Sequence, residues 1–182
     1  MLNYDFSKVS VLVVGDIILD NYLWGSVDRI SPEAPVPIAN IHRVSFAPGG
    51  AANVANNIVS LGARALLVGT AGEDLNRAHL DRTIKEHSIE NSLITIGSPT
   101  TTKMRVISNH QQMLRIDFED STPVGDNVKE QITGLVRTRI GDFNVVVISD
   151  YNKGVCTPEI CRNIIAVAKE KNIPVIIDPK GK

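Results

Sequence analysis

The apolar positions of this chain follow two rhythms that alternate along its length. VSVLVVGD (Val9–Asp16), ALLVGTAG (Ala65–Gly72), FNVVVISD (Phe143–Asp150) and IPVIIDP (Ile173–Pro179) are unbroken, largely β-branched runs with no polar face. A strand buried on both sides reads this way, and four of them predict a mostly parallel sheet. Between and after them the spacing predicts helices over 50–61, 75–87, 125–140 and 158–171, the last with Thr157 as N-cap and Pro158 in the first helical position. Strand and helix in alternation give an α/β fold, a three-layer sandwich.

Two segments break the alternation. Ser31–Phe46 (SPEAPVPIANIHRVSF) holds three prolines, which exclude a helix or a central strand but suit an extended edge piece. Thr101–Glu119 (TTKMRVISNHQQMLRIDFE) reads as two strands around a polar turn at Ser108–Gln111. Alternation puts Lys103 and Arg105 on one face and Met104 and Val106 on the other. In the return strand it sets Leu114, Ile116 and Phe118 against Arg115 and Asp117. Segments of about 21–46 and 100–119 are thus expected to form a small antiparallel β lid beside the main sheet. There is no internal repeat and no low-complexity tract. Because DPKGK follows the last apolar run with no closing element, residues 1–182 read as the N-terminal part of one domain, incomplete at its C-terminus.

A net charge of −1 over 182 residues gives no global electrostatic case for nucleic acid or an anionic membrane. The apolar runs fall short of the roughly 20 residues a bilayer span needs. Met1–Ser10 has no signal-peptide pattern, so a cytoplasmic protein is expected. Cys156 and Cys161 lack a second Cys or His pair at zinc spacing and read as reduced, structural thiols. His42, His79, His87 and His110 show no ligand spacing and are expected at the surface; no metal site is assigned.

The candidate chemistry starts at APGGAANVANNI (Ala47–Ile58). The predicted helix has an apolar stripe of Ala51, Val54, Ile58 and Leu61, with Asn53, Asn56 and Asn57 off it, and Gly62 as its left-handed cap. Gly49 and Gly50 remove side chains where a ligand could reach main-chain N–H groups, and the Asn53 amide can both donate to and accept from a hydroxyl. Such a corner suits a polyol; tight packing of small residues against the sheet explains the same composition. Asp16 and Asp20 in GDIILDNYLWG lie at the carboxyl end of the first strand, where open α/β sheets bind ligands, although a turn residue and a solvated one would look alike. SDYNKG supplies Asp150 and Lys153, and DPKG supplies Asp178 and Lys180. Asp16, Asp150 and Asp178 therefore finish three predicted strands at one edge of the sheet. Lys103, Arg105, Arg115, Lys153 and Lys180 can add an anion-binding surface from lid and loops. The competing reading pairs Lys103 and Arg115 with Asp117 across the hairpin. Neither G-x-G-x-x-G after the first strand nor G-x-x-x-x-G-K-[ST] anywhere is present, which counts against a nicotinamide-dependent oxidoreductase and a P-loop.

Taken together, VVGDIILD, ISPEAPVP, PGGAANVANNIVSLGA, TTKMRV, SDYNKG and DPKGK resemble the ribokinase-like (PfkB-type) sugar kinases, and specifically the kinase domain of the D-glycero-β-D-manno-heptose 7-phosphate kinases, from about Ser10 onward. The resemblance implies ATP-dependent phosphorylation, with Mg2+, of the anomeric hydroxyl of heptose 7-phosphate to the 1,7-bisphosphate, on the route to ADP-heptose and lipopolysaccharide core. By motif match, Asp16, Gly49, Gly50 and Asn53 would hold sugar hydroxyls, Asp150 would be a further acidic contact, and a homodimer through the lid is implied. Lys103, Arg105, Lys153 and Lys180 are the candidates for the substrate's own phosphate. The family's Gly-Ala-Gly-Asp catalytic-base motif is absent, so no catalytic residue is assigned and the base is expected beyond Lys182. The chain then reads as the sugar-binding half, inactive alone. A kinase for another sugar and a non-catalytic sugar-phosphate binding module are the alternatives.

Overall fold

The computed structural model describes residues 5–180. Gly181 and Lys182, the end of the DPKGK motif, and Met1–Tyr4 lie outside the described residues. The main sheet has five parallel strands in the order β5-β4-β1-β8-β9. They are β1 (Ser10–Gly15), β4 (Arg64–Ala71), β5 (Glu90–Thr95), β8 (Val145–Ser149) and β9 (Val175–Asp178). Helices α1 (Ala51–Ser60) and α2 (Leu75–Glu86) cover one face; α3 (Asp126–Arg139) and α4 (Pro158–Glu170) cover the other. In β1, Val11 and Val13 join the first core, while Leu12 and Val14 join the second. Burial on both faces is why that strand is apolar throughout. Leu12, Leu66, Ile132 and Ile164 are fully inaccessible, and truncating one to Ala costs about 2–5 kcal/mol.

The four apolar runs are four of these strands. The fifth, β5, escaped the periodicity because it is an edge strand with polar, exposed residues at its start. Helix ends follow the local chemistry. Thr157 accepts the Ile160 N–H, and Asp74, at the start of α2, accepts the Arg77 N–H. At the end of α1, Gly62 (φ 90°) donates to Val59 O while Ala63 donates to Ile58 O, the paired bonds of a Schellman cap. The buried stripe of α1 is rotated from the expected one. Ala51, Ala52 and Ala55 are buried, whereas Leu61 is 64% exposed past the last turn. Alanines bring the helix axis close to the sheet, so small-residue packing is part of the reason for this composition. His79 and His87 are half-buried rather than exposed; His79 stacks on Phe46 at 4.1 Å.

The second sheet holds β3 (Pro37–Gly50), β2 (Ile17–Ile30), β6 (Thr102–Ser108) and β7 (Gln111–Phe118), in that order. β3, with its prolines, takes an edge, as a strand lacking donors must. β6 and β7 join through Asn109 (φ 48°) and His110 (φ 65°), two left-handed residues that match the strand twist. The sheet is mixed rather than antiparallel. β2 pairs antiparallel with β3 but parallel with β6, because β2 and β6 both leave the main sheet in the same direction. β2 itself begins only one residue after β1, so the apolar GDIILD stretch carries no turn signal beyond Asp16.

Candidate active site

Where β1, β8 and β9 end, Gly15, Ser149 and Asp178 stand in register. Asp16 and Asp150 follow at once, so three acidic residues do share one edge of the sheet. Their environments differ. Asp178 is exposed, and Asp150 accepts the Asn152 and Lys180 N–H groups at 2.7 and 3.3 Å. Asp16 is 1% exposed, and its carboxylate accepts three backbone N–H groups: Tyr151 (2.8 Å) and Lys153 (3.0 Å) on Oδ2, and Val155 (3.0 Å) on Oδ1. The loop they belong to turns at Asn152 (φ 56°) and Gly154 (φ 94°).

In front of this edge lies a cavity of about 470 Å³, walled by both sheets. From β2, β3 and α1 come Asp20, Gly49, Gly50 and Asn53; from the lid hairpin, Lys103, Arg105 and Arg115; from the strand-end loops, Lys153 and Lys180. Nine of the twelve residues singled out in the sequence therefore meet in one space. Asp16, Asp150 and Asp178 do not line it. Ile18, Asp117, Glu119 and Tyr151 complete the wall. Asp117 entered the sequence reading only as an ion-pair partner, and Glu119 and Tyr151 were not singled out. Glu119 continues the Arg115–Asp117 alternation one step beyond the end of β7.

Gly50 explains the bare start of α1. Its φ of 55° lies in the left-handed region, and a Cβ there would overlap the Asp16 carbonyl. That same carbonyl accepts the Ala51 N–H at 2.9 Å. No side chain caps the helix and no acidic residue sits in its first turn, so no anion from the helix itself competes for its positive end, although Asp20 lies beside Gly49.

The cations are organised by carboxylates. Arg105 Nη1 donates to Asp20 Oδ1 and lies over the Tyr22 ring, 5.3 Å from its centre. Lys103 bridges Asp117 (3.2 Å) and Glu119 (3.3 Å), and Lys153 reaches Glu119 at 2.8 Å. Arg115 pairs with Asp117 at 2.9 Å. The cross-hairpin pairing is thus present, and the same residues line the cavity. Burial opposes ionisation of Asp117, but hydrogen bonds and charge from Lys103 and Arg115 outweigh it and hold its pKa below the usual carboxylate range. The Lys153 hydrogen bond, reinforced by Lys103, does the same for Glu119 against its own burial. Five cations face three carboxylates around the cavity, an excess of two positive charges.

Oxygen or sulfur atoms of Asp16, Asp150 and Cys156 lie within 4.8 Å of one another. The Asp16 oxygens are already taken by N–H donors. The Cys156 thiol is pushed far up by hydrogen bonding to Cys161, by burial and by the two aspartates, so it stays protonated. A hard cation such as Mg2+ asks for free carboxylate and water oxygens in octahedral array, and this trio does not provide them. Cys156 and Cys161 are both free thiols packed against the core.

Known proteins resemble this chain over nearly its whole length. The chain is 44% identical over 175 residues to the bifunctional protein HldE of Geobacter metallireducens, covering 95% of this chain and 36% of that protein. It is 43% identical over 190 residues to HldE of Haemophilus ducreyi, covering 100% and 38%. The chain thus spans little more than a third of the length of these curated relatives. Among solved structures, phosphofructokinase-2 from Escherichia coli in complex with fructose-6-phosphate superposes with a TM-score of 0.70 at 20% identity, over 96% of this chain and 55% of that one. A carbohydrate kinase from Agrobacterium tumefaciens gives 0.67 at 15% identity, over 93% and 53%. The ribokinase-like sandwich is therefore the shared fold. The model of the pfkB family carbohydrate kinases matches residues 8–182, and the chain belongs to that family.

Proposed function

We propose that this chain is the sugar-phosphate-binding part of a kinase that transfers the γ-phosphoryl group of ATP to the anomeric hydroxyl of D-glycero-β-D-manno-heptose 7-phosphate, giving the 1,7-bisphosphate and ADP. The observation that carries the reading is the cavity that joins a glycine corner to an excess of two positive charges. Hydroxyls fit Asp20, the Asn53 amide and the main chain at Gly49 and Gly50. An acceptor carboxylate and a two-way amide together can satisfy a vicinal diol. The excess charge matches a phosphate monoester, which is close to a dianion near neutral pH, and Lys103, Arg105, Arg115, Lys153 and Lys180 are placed to receive it.

ATP would supply the phosphoryl group, and Mg2+ would neutralise charge on it. The Asp16–Asp150–Cys156 group does not fit that ion, so we assign it no metal role. The 182 residues contain no Gly-Ala-Gly-Asp segment, and we expect little or no turnover from them alone. A second reading, a sugar-phosphate binding module without catalysis, rests on the same cavity, whose lining serves binding of a sugar phosphate with or without turnover. The apolar positions of β7, Leu114, Ile116 and Phe118, are 38–54% exposed on the lid, and we assign them to a homodimer contact, in a protein working in the cytoplasm.

Calorimetry tests the reading. Heptose 7-phosphate is expected to bind with measurable affinity, the free heptose more weakly, and ATP with Mg2+ hardly at all. Tight ATP binding, or equal affinity for heptose with and without phosphate, would overturn it. A coupled ADP-release assay separates the two readings: turnover by a longer chain that carries a Gly-Ala-Gly-Asp segment favours the kinase, and a native chain that stops at Lys182 favours the binding module.

A further inference from the structure

The geometry points to Asp16 as a positioning residue: its carboxylate does not touch the sugar but fixes the loop that presents Lys153 to the substrate's phosphate. This rests on the proposed sugar-phosphate reading. A carboxylate at a strand end beside a ligand cavity is the obvious candidate to accept sugar hydroxyls. Here, however, both oxygens are spent on main-chain donors, two on Oδ2 and one on Oδ1, all within 3.0 Å. The residue is 1% exposed and stands outside the cavity wall. Three main-chain donors held by one buried side chain have no other acceptor among the described residues, and losing that acceptor strands buried N–H groups.

The three donors, Tyr151, Lys153 and Val155, are alternate residues of one loop, so a single side chain sets its curvature. Lys153 leaves that loop to meet Glu119 at 2.8 Å, and Glu119 also meets Lys103 at 3.3 Å. A line of direct contacts thus runs from the end of β1 to the lid hairpin. The main chain of Asp16 ties in the opposite wall: its N–H donates to Ser149 O, and its carbonyl accepts the Ala51 N–H that begins α1. One residue therefore sets the distance between the glycine corner and the lysine arm. Asp20 remains as the aspartate of this motif that faces the cavity.

Asp16→Asn preserves shape but turns one acceptor into a donor that opposes a backbone N–H. Lys153→Ala is expected to weaken heptose 7-phosphate binding by about tenfold or more, the size of one charge-assisted hydrogen bond. Asp16→Asn should produce a comparable loss for heptose 7-phosphate while changing affinity for the free heptose less than about twofold, and the double variant should bind no worse than Lys153→Ala alone. Equal losses for both ligands, or additive losses in the double variant, would overturn the assignment and make Asp16 a sugar ligand. Hydrogen exchange on the unmodified protein needs no folded variant: the Tyr151, Lys153 and Val155 amides should exchange at least about tenfold slower than in unstructured peptide. Free exchange at these amides refutes the anchor. If the unmodified protein binds neither ligand, the functional proposal fails, and the exchange rates alone decide the anchoring role.

Discussion

Lys103→Ala separates recognition of a phosphate from stabilisation of the lid. Lys103 Nζ lies 3.2 Å from Asp117 and 3.3 Å from Glu119, with 17% of its side chain exposed. Removing it strands neither carboxylate, because Arg115 remains on Asp117 and Lys153 on Glu119. The folding cost should therefore stay within about 1 kcal/mol, as for partly exposed ion pairs. The cavity's excess charge falls from two to one, and one charge-assisted hydrogen bond to the phosphate is lost, worth about 1.5–3 kcal/mol. That corresponds to roughly 10- to 150-fold in affinity. Titration calorimetry with heptose 7-phosphate and the free heptose, at two salt concentrations, reads the difference directly. The phosphate-bearing ligand should lose the full factor and much of its salt dependence, while the free sugar should change less than about twofold. Equal losses for both ligands would refute phosphate recognition by Lys103 and favour a kinase for an unphosphorylated sugar. An unchanged affinity would refute any role for it in the cavity.

Gly50→Ala should lower stability by about 1–3 kcal/mol, because it forces a side chain into the left-handed region against the Asp16 carbonyl; thermal unfolding should drop by several degrees. Asp74 titrates below its ordinary value of 3.8, since the Thr100 and Arg77 N–H groups together outweigh the opposing effect of burial. A depressed folded pKa stabilises the fold above the unfolded value and loses that contribution as pH falls through the folded one. Asp74→Ala should therefore narrow the stability gap to the parent protein below about pH 3.8 while costing about 1–2 kcal/mol at neutral pH, measured by urea unfolding at both pH values. Leu114→Asp with Phe118→Asp should convert a dimer to monomer in sedimentation without lowering sugar-phosphate affinity; a monomeric parent protein removes the proposed lid contact.

Most of the main sheet could be read from sequence because β1, β4 and β8 are largely buried between two helix layers; β9 has the same apolar pattern, yet as an edge strand it leaves Ile176 and Ile177 58% and 46% exposed rather than buried on both sides. The charged lid face was legible for a different reason: alternation in β6 and β7 fixes which residues share a side. β2 was not legible. Its apolar start continues β1 past a single aspartate, and the switch between sheets is set by pairing with β3 and β6, which no local signal encodes. The burial of Asp16 was hidden too. Its three partners lie 135–139 residues away, and a carboxylate saturated by main-chain N–H groups looks the same in sequence as one waiting for a ligand. Glu119 stands one residue past the last paired residue of β7, and the Arg115–Asp117 alternation carried one step further would have found it.

The parallel pairing of β2 with β6 has a mechanical corollary. Asp20 and Arg105 are carried by adjacent strands that leave the core in the same direction, so a tilt of the lid would displace both as one body and leave their contact intact. Such a tilt would instead stretch the bond between Lys153 and Glu119, the seam between the moving part and the fixed one. The chain's single tryptophan, Trp24, rides on β2 beneath the Arg43 guanidinium and beside Tyr22. Its emission is therefore a built-in gauge of that sheet alone, uncontaminated by signal from the core.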